Sequence, residues 1–276
     1  MSNSKGFTEA NVPNQTGKSF IVTGANTGVG FEIARVLAAR GARVLLGCRE
    51  QTRAQDAIAR IKRITPNADL VWLPLDLGDL DSVRTAAEIA AKEPRIDVLI
   101  NNAGIKGPTG YVEELKLDDW RECLSVCLDA QFLCARRAAP VMKDQRSGSI
   151  INISSTAGLF GYGLRTPYAA AKWAVIGFTK SLAVELGPYD VRCNAICPGS
   201  VEGPRMERVI KAEAESRGVA ADVVYKEYVG AQSIKRFVKA DEIADMCLFL
   251  ASPGAKMVTG QAISVDGHSE TFHIGS

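Results

Sequence analysis

Residues 19–41 read SFIVTGANTGVGFEIARVLAARG. The apolar run FIV breaks at Thr23-Gly24, and VGFEIARVLAA then repeats apolar residues at helical spacing up to Gly41. Strand, glycine turn and helix, in that order, open a βαβ unit. The turn Gly24-Ala25-Asn26-Thr27-Gly28-Val29-Gly30 has the spacing G-x-x-x-G-x-G, not the commoner G-x-G-x-x-G. Glycines let the backbone turn tightly and approach an anion without a Cβ in the way. The helix start adds unpaired N–H groups and a positive dipole end. The turn therefore suits a dinucleotide pyrophosphate, although by itself it is also a glycine-rich turn with no ligand.

The alternation continues along the chain. RVLLG, DLVWLPLD, IDVLINNAG, SIINISS, VRCNAICPG and AISVDG read as further strands. Helices are expected at about 50–64, 79–93, 118–143, 167–187 and 240–251. Strands separated by helical segments predict a parallel sheet of about seven strands. The fold class is α/β, Rossmann-like and doubly wound, with helices on both faces. Residues 1–16 are polar and aperiodic and read as an N-terminal arm; 17–276 read as a single domain.

Composition closes off several functions. The chain has 276 residues, 46% hydrophobic and 23% charged, which is enough to build a core. Thirty-three Lys and Arg against 31 Asp and Glu leave a net charge of +2, with no basic excess for a nucleic-acid partner. No apolar run approaches the roughly 18 residues of a membrane span, and the first residues hold no apolar signal core, so a cytoplasmic protein is expected. Seven cysteines without a CxxC read as reduced thiols, and the pairs Cys123/Cys127 and Cys193/Cys197 as small buried residues. With only His268 and His273, neither a metal site nor a Ser-His-Asp triad is expected.

At the end of the second strand, Gly47-Cys48-Arg49, no carboxylate stands ready for a ribose 2′-hydroxyl. The Arg49 guanidinium can instead pair with a 2′-phosphate, unless it is merely a solvated charge. NADP(H) is favoured on this reading and NAD(H) remains possible. Further on, Tyr168-Ala169-Ala170-Ala171-Lys172 follows Thr166-Pro167, an expected N-cap and first helical residue. Tyr168 and Lys172 then share a helix face. An ammonium beside a phenol stabilises the phenolate and makes a proton donor or acceptor of an otherwise inert residue. Thirteen positions earlier, Ser155 ends a strand at the edge where ligands bind, so its hydroxyl could hold a carbonyl oxygen. Taken singly these are also a turn-capping serine, a core tyrosine and a surface lysine.

In combination they resemble the short-chain dehydrogenase/reductases from Gly17 onward. TGANTGVG is similar to that family's TGxxxGxG turn, and Asn101-Asn102-Ala103-Gly104 to its NNAG. Asp76, with Leu77 beside it, resembles the acidic position near the adenine. Pro198-Gly199 resembles the PG near the nicotinamide. Ser155, Tyr168 and Lys172 fall on the catalytic Ser, Tyr and Lys. The resemblance implies hydride transfer between NAD(P)(H) and a carbonyl or secondary alcohol of a small molecule. Tyr168 would move the proton, Ser155 would bind the substrate oxygen, and Lys172 would bind the nicotinamide ribose. It also implies a homotetramer or homodimer joined through the helices at 118–143 and 167–187, and a flap over 204–236. The flap is rich in Arg and Lys; it reads as a solvated helix, or as one in which Arg205 or Arg208 pairs with an anionic substrate group.

Two positions depart from the family. Cys127 stands where an Asn is usual; that Asn helps a helix kink and leaves a backbone carbonyl to hold a water. Gly203 stands where a Thr usually binds the nicotinamide amide, which leaves Ser200 or backbone near Val201 to replace it. The first departure leaves open a second reading, a cofactor-binding sensor or scaffold without turnover. In addition, the part up to NNAG looks like the retinol-dehydrogenase-like branch and the rest like the ketoacyl-reductase-like branch. A chimera joined near 101–104 and natural divergence are both compatible with that split.

Overall fold

A computed structural model describes residues 11–269. Residues 1–10 of the expected arm, and 270–276 with His273, lie outside the described residues. Seven strands form one parallel sheet: β1 (Ser19–Thr23), β2 (Arg43–Cys48), β3 (Asp69–Pro74), β4 (Val98–Asn101), β5 (Gly148–Ile153), β6 (Val191–Pro198) and β7 (Ala262–Val265). Their order is β3-β2-β1-β4-β5-β6-β7. The chain winds outward from β1 to β3, returns to β4 beside β1, and winds outward again. β1 and β4 therefore flank the point where winding reverses, where such sheets open a crevice at the strand C-termini.

Alternation along the strands divides the core. Phe20, Val22, Val44, Leu46, Val98 and Ile100 join the cluster under α1 (Gly28–Ala39), α2 (Gln51–Ile64) and α9 (Ala240–Ala251). Ile21, Leu45, Leu99, Ile150 and Cys193 face α3 (Leu80–Ala90), α5 (Ala130–Gln145) and α6 (Thr166–Leu186). Central strands covered on both faces must be apolar throughout, and β1 and β4 are buried at every residue. Val12 and Gln15 are also buried, and the Gln15 N–H donates to the Arg40 carbonyl, so the described end of the expected arm rests on the C-terminus of α1.

Two local expectations are corrected. The helix expected at about 118–143 is divided: α4 (Leu117–Leu124) leads into a π-helical turn at Ser125–Asp129 before α5. One extra residue in that turn breaks the 3.6-residue register. At the start of α6, Arg165 is the N-cap; Thr166 is already helical, and no side chain caps the helix. The flap region forms α7 (Pro204–Arg217) and α8 (Ala221–Gly230).

A polar chain crosses the core between β4 and α6. Asn101 Nδ2 donates to Asn152 Oδ1 at 2.9 Å, Asn152 Nδ2 to Thr179 Oγ1 at 2.9 Å, and Thr179 Oγ1 to the Val175 carbonyl at 2.8 Å. All three side chains are buried. Asn152→Ala would orphan partners on both sides, so equilibrium urea unfolding should show a loss of about 1–3 kcal/mol. An unchanged midpoint and slope would show that water replaces the amide at no cost.

Candidate active site

The glycine turn is built as its anion-binding reading requires. Gly24 and Gly28 have φ of +66° and +58°, a region unfavourable for other residues. At Gly30 the constraint is space: a Cβ would stand 2.5 Å from Asn102 Nδ2 and 2.6 Å from the Gly24 carbonyl oxygen. Thr27 caps α1 without a side-chain bond, and the first turn of α1 carries no acid. No side chain of the cap takes up the N–H groups of that turn. Asn102 clasps the turn, with Nδ2 donating to the Thr23 carbonyl at 2.9 Å. In return, Thr23 Oγ1 accepts the Asn102 and Ala103 N–H groups at 3.0 Å each.

The other expected cofactor residues gather around this crevice. Cys48, at the tip of β2, meets the backbone of Ala25 and Asn26, and burial pushes its thiol up to about 11. Arg49 beyond it is exposed and lies 3.5 Å from Glu50, which in turn holds Arg53 at 2.9 Å. Arg53, in the first turn of α2, joins this pair through Glu50, a contact the sequence pattern does not mark. Asp76 and Leu77 follow β3, and Asp76 Oδ1 accepts the Gly78 N–H at 3.0 Å. Pro198 ends β6, and a Cβ on Gly199 would stand 2.8 Å from Asp266 Cβ. Val201 pairs with Val238, while Ser200 offers its carbonyl to the Val238 N–H. Gly203 has φ +133° and opens α7.

Of the three candidate catalytic residues, Lys172 is the most constrained. Its side chain is buried, and Nζ donates to the Ile153 carbonyl at 2.9 Å and stands 5.6 Å from the centre of the Tyr168 ring. Ser155, half-buried beyond β5, accepts the Ala157 N–H at 3.1 Å. Gly158, another residue missed in the sequence, lets this turn lie against α6, since a Cβ there would be 2.6 Å from the Lys172 carbonyl oxygen. The adjacent Ser154 hydroxyl donates to that same carbonyl at 2.8 Å.

Cys127 sits in the π-helical turn, so the kink exists without the expected amide. Its Sγ and Lys172 Nζ each lie 3.8 Å from where a Cβ on Gly104 would stand. A hydrogen bond from Cys123 and the charge of Lys172 hold the Cys127 thiol below its ordinary value, while Cys123 is pushed up. The Cys127 carbonyl accepts Gln131 Nε2 at 3.3 Å, and Gln131 also donates to the Ile153 carbonyl at 3.2 Å. Gln131 thus links the π turn to the carbonyl that holds Lys172; nothing in the sequence pattern singled it out.

In the flap, Arg217 binds Glu213 and Glu227, Lys211 pairs with Glu215, and Lys226 pairs with Asp222. Arg205 and Arg208 are exposed on α7. A cavity of about 450 Å³ between α3 and α5, walled by residues such as Leu73, Val83, Leu99 and Val141, contains none of the candidate residues.

Residues 24–267 match the family model described as enoyl-(acyl carrier protein) reductase, a match that runs across residues 101–104. The chain belongs to the short-chain dehydrogenase/reductase family. It is 38% identical over 256 residues to trans-4-hydroxycyclohexanecarboxylate dehydrogenase of Sinomonas cyclohexanicum, covering 91% of this chain and 92% of that protein. An actinorhodin polyketide ketoreductase solved with NADPH superposes with a TM-score of 0.85 at 30% identity, covering 91% of this chain and 96% of the other. An NAD+-bound xylitol dehydrogenase gives 0.85 at 26% identity, covering 96% and 100%. The chain is an NAD(P)-dependent oxidoreductase, and its sheet is the one this family shares. Among the described residues, no helix of this short-chain dehydrogenase/reductase is long and apolar enough to cross a membrane, and no cluster of His, Cys, Asp and Glu could hold a metal.

Because the π turn is a backbone feature anchored by Gln131, Cys127→Asn should change kcat by less than about tenfold, or about 1.4 kcal/mol of barrier. Steady-state assays of both forms over one ketone panel test this. A hundredfold gain in the Asn form would show that the thiol limits the enzyme.

Proposed function

We propose that the protein interconverts a small-molecule carbonyl compound and its alcohol with NADP(H) in preference to NAD(H), using Ser155, Tyr168 and Lys172. The observation that carries this reading is the buried Lys172 ammonium, tied to the Ile153 carbonyl and set beside the Tyr168 ring. The glycine turn suits a pyrophosphate, since Gly24 and Gly28 hold positive φ and the first turn of α1 carries no acid. Gly24, Asn26, Thr27, Gly28, Val29 and Gly30 would hold that group. Asp76, Leu77, Asn102, Ala103 and Gly104 would border the adenosine half, with Pro198, Gly199 and Val201 beside the nicotinamide.

When bound, the nicotinamide ring supplies or takes up the hydride. The protein's task is to hold the substrate oxygen and move its proton. The Ser155 hydroxyl binds that oxygen. The Tyr168 hydroxyl gives it a proton in the reducing direction and removes one in the oxidising direction. Lys172 stands beside the Tyr168 ring and would hold the nicotinamide ribose. The relatives support the substrate class, since their names describe a hydroxycyclohexanecarboxylate dehydrogenase and a polyketide ketoreductase. Exposed Phe132, Trp173 and Val184 on α5 and α6 fit the same reading as the faces where copies meet in a homodimer or homotetramer.

The NADP(H) preference rests on Arg49 and Arg53 near the tip of β2. Their exposed pairing with Glu50 is weak enough for a 2′-phosphate to displace. Fluorescence titration should show NADPH binding several-fold tighter than NADH, with the order reversed in Cys48→Asp/Arg49→Ile. Tighter NADH binding by the natural chain would refute the preference.

Tyr168→Phe should bind cofactor normally and lose turnover by about 10²- to 10⁴-fold, the scale of a lost acid–base group. Turnover near that of the natural chain would assign the proton to another group. A chain that binds NADPH but reduces nothing in a broad ketone panel would instead be a cofactor-binding sensor or scaffold.

A further inference from the structure

Arg165 caps α6 three residues before Tyr168. It is 7% exposed. Its guanidinium carbon lies 5.3 Å from the centre of the Tyr168 ring and 5.3 Å from that of Tyr162. One terminal nitrogen donates to the Lys106 carbonyl. Nε is buried and has no hydrogen-bond partner, and among the described residues no Asp or Glu pairs with this side chain.

A guanidinium cannot shed its proton to escape burial. Left without a counter-charge it carries a desolvation cost that one carbonyl bond and two ring faces offset only in part. Arg217 and Arg236, both exposed, each hold a carboxylate, so this chain pairs arginines that burial does not force it to pair. Arg192 also has a buried terminal nitrogen without a partner, but Arg165 is the one of the two that stands against the Tyr168 ring. What the arrangement lacks is an anion, and an arginine fork matches a carboxylate with two parallel bonds. One buried positive charge balances one negative charge, which fits a carboxylate better than a phosphate dianion. Arg205 and Arg208 are alternatives for an anionic substrate, but both lie exposed on α7, where an ion pair gains little.

We propose that Arg165 sets substrate specificity by binding a carboxylate on the substrate, so that the enzyme acts on short oxo acids and hydroxy acids in preference to neutral ketones and alcohols. This rests on the reading of Tyr168 as the proton-handling group, because nearness to that ring is what assigns the anion to the substrate. No bond forms or breaks at Arg165; it positions the molecule whose carbonyl Tyr168 and Ser155 address. The short distance to Tyr168 keeps the acid within a few bonds of the reacting carbon.

The test compares oxo acids with their amides: pyruvate, acetoacetate and 4-oxopentanoate against pyruvamide, acetoacetamide and 4-oxopentanamide. The full chain with saturating cofactor is used for both kcat/KM and calorimetric binding. In the natural chain at least one acid should exceed its amide by about 100-fold in kcat/KM, the scale of a buried charge pair. Arg165→Gln should erase most of that ratio by lowering the acid alone, with the amide changed less than about threefold and NADPH affinity and thermal unfolding preserved. Arg165→Lys should restore part of the acid's advantage, because it keeps the charge and loses the fork. If Arg165→Gln fails to fold, the acid-to-amide ratios of the natural chain and of Arg165→Lys decide. Equal use of acids and amides across the series, or an equal loss on both in Arg165→Gln, overturns the proposal. The two readings fail differently. Ketone turnover that depends on Tyr168 but shows no acid preference removes only the role of Arg165. Acid binding that needs Arg165, with turnover indifferent to Tyr168→Phe, removes only the role of Tyr168.

Discussion

The clasp of Asn102 on the end of β1 is the contact on which the site depends. β1 and β4 pair through Phe20–Val22 and then part, one chain turning into the glycine loop and the other into residues 102–110. Beyond the last ladder pair, the Asn102 amide and the Thr23 hydroxyl replace the missing sheet bonds. Backbone polar groups at a splitting sheet need such partners or water. Here the partners also set the width of the crevice, because the clasp passes where a Cβ on Gly30 would have to stand. The glycine turn and the NNAG segment, about 75 residues apart in sequence, are thus two halves of one joint.

A second constraint runs from that joint to α6. Ile153, the last residue of β5, offers one carbonyl to both Lys172 and Gln131, and Gln131 bonds in turn to the carbonyl of Cys127. A single backbone oxygen therefore couples the lysine's position to the π-helical turn. Since the kink forms with a cysteine in place of the usual amide, its shape is set by backbone and by Gln131 rather than by residue 127. This is the physical reason that replacing an amide by a thiol, a weak donor and acceptor, need not remove the architecture around Lys172.

The fold was largely legible in the sequence because both-face burial forces continuous apolar strands and the helices between them keep a 3.6-residue period. Seven strands and the main helices follow from that alone. The π turn did not, since one extra residue in a long helix leaves almost no mark on periodicity. Thr166 looked like a cap because threonine favours that place, yet the chain puts Arg165 there, and tertiary contacts to Lys106, Tyr162 and Tyr168 outweigh cap propensity. The glycine turn, Tyr168, Lys172 and Ser155 could be proposed from the sequence because their spacing marks them as candidates. Gln131, Arg53 and Arg165 could not, because what matters about each is a partner, or the lack of one, brought close only by folding.

Lys172 and Arg165 share an unusual condition. Both are buried, both are bonded to backbone carbonyls, and among the described residues neither has a carboxylate partner. They flank Tyr168 near the N-terminus of α6, whose dipole adds positive potential at the same place. An Asp or Glu beside either would stabilise the fold and cancel the field. Carbonyl ligands instead fix each cation in position while leaving its charge uncompensated. That positive potential is open to an anionic group entering this end of the crevice. The missing counter-charges are therefore the feature that makes this end of the crevice receptive to anions, and the rigid sheet beneath it is what allows two such cations to be held there.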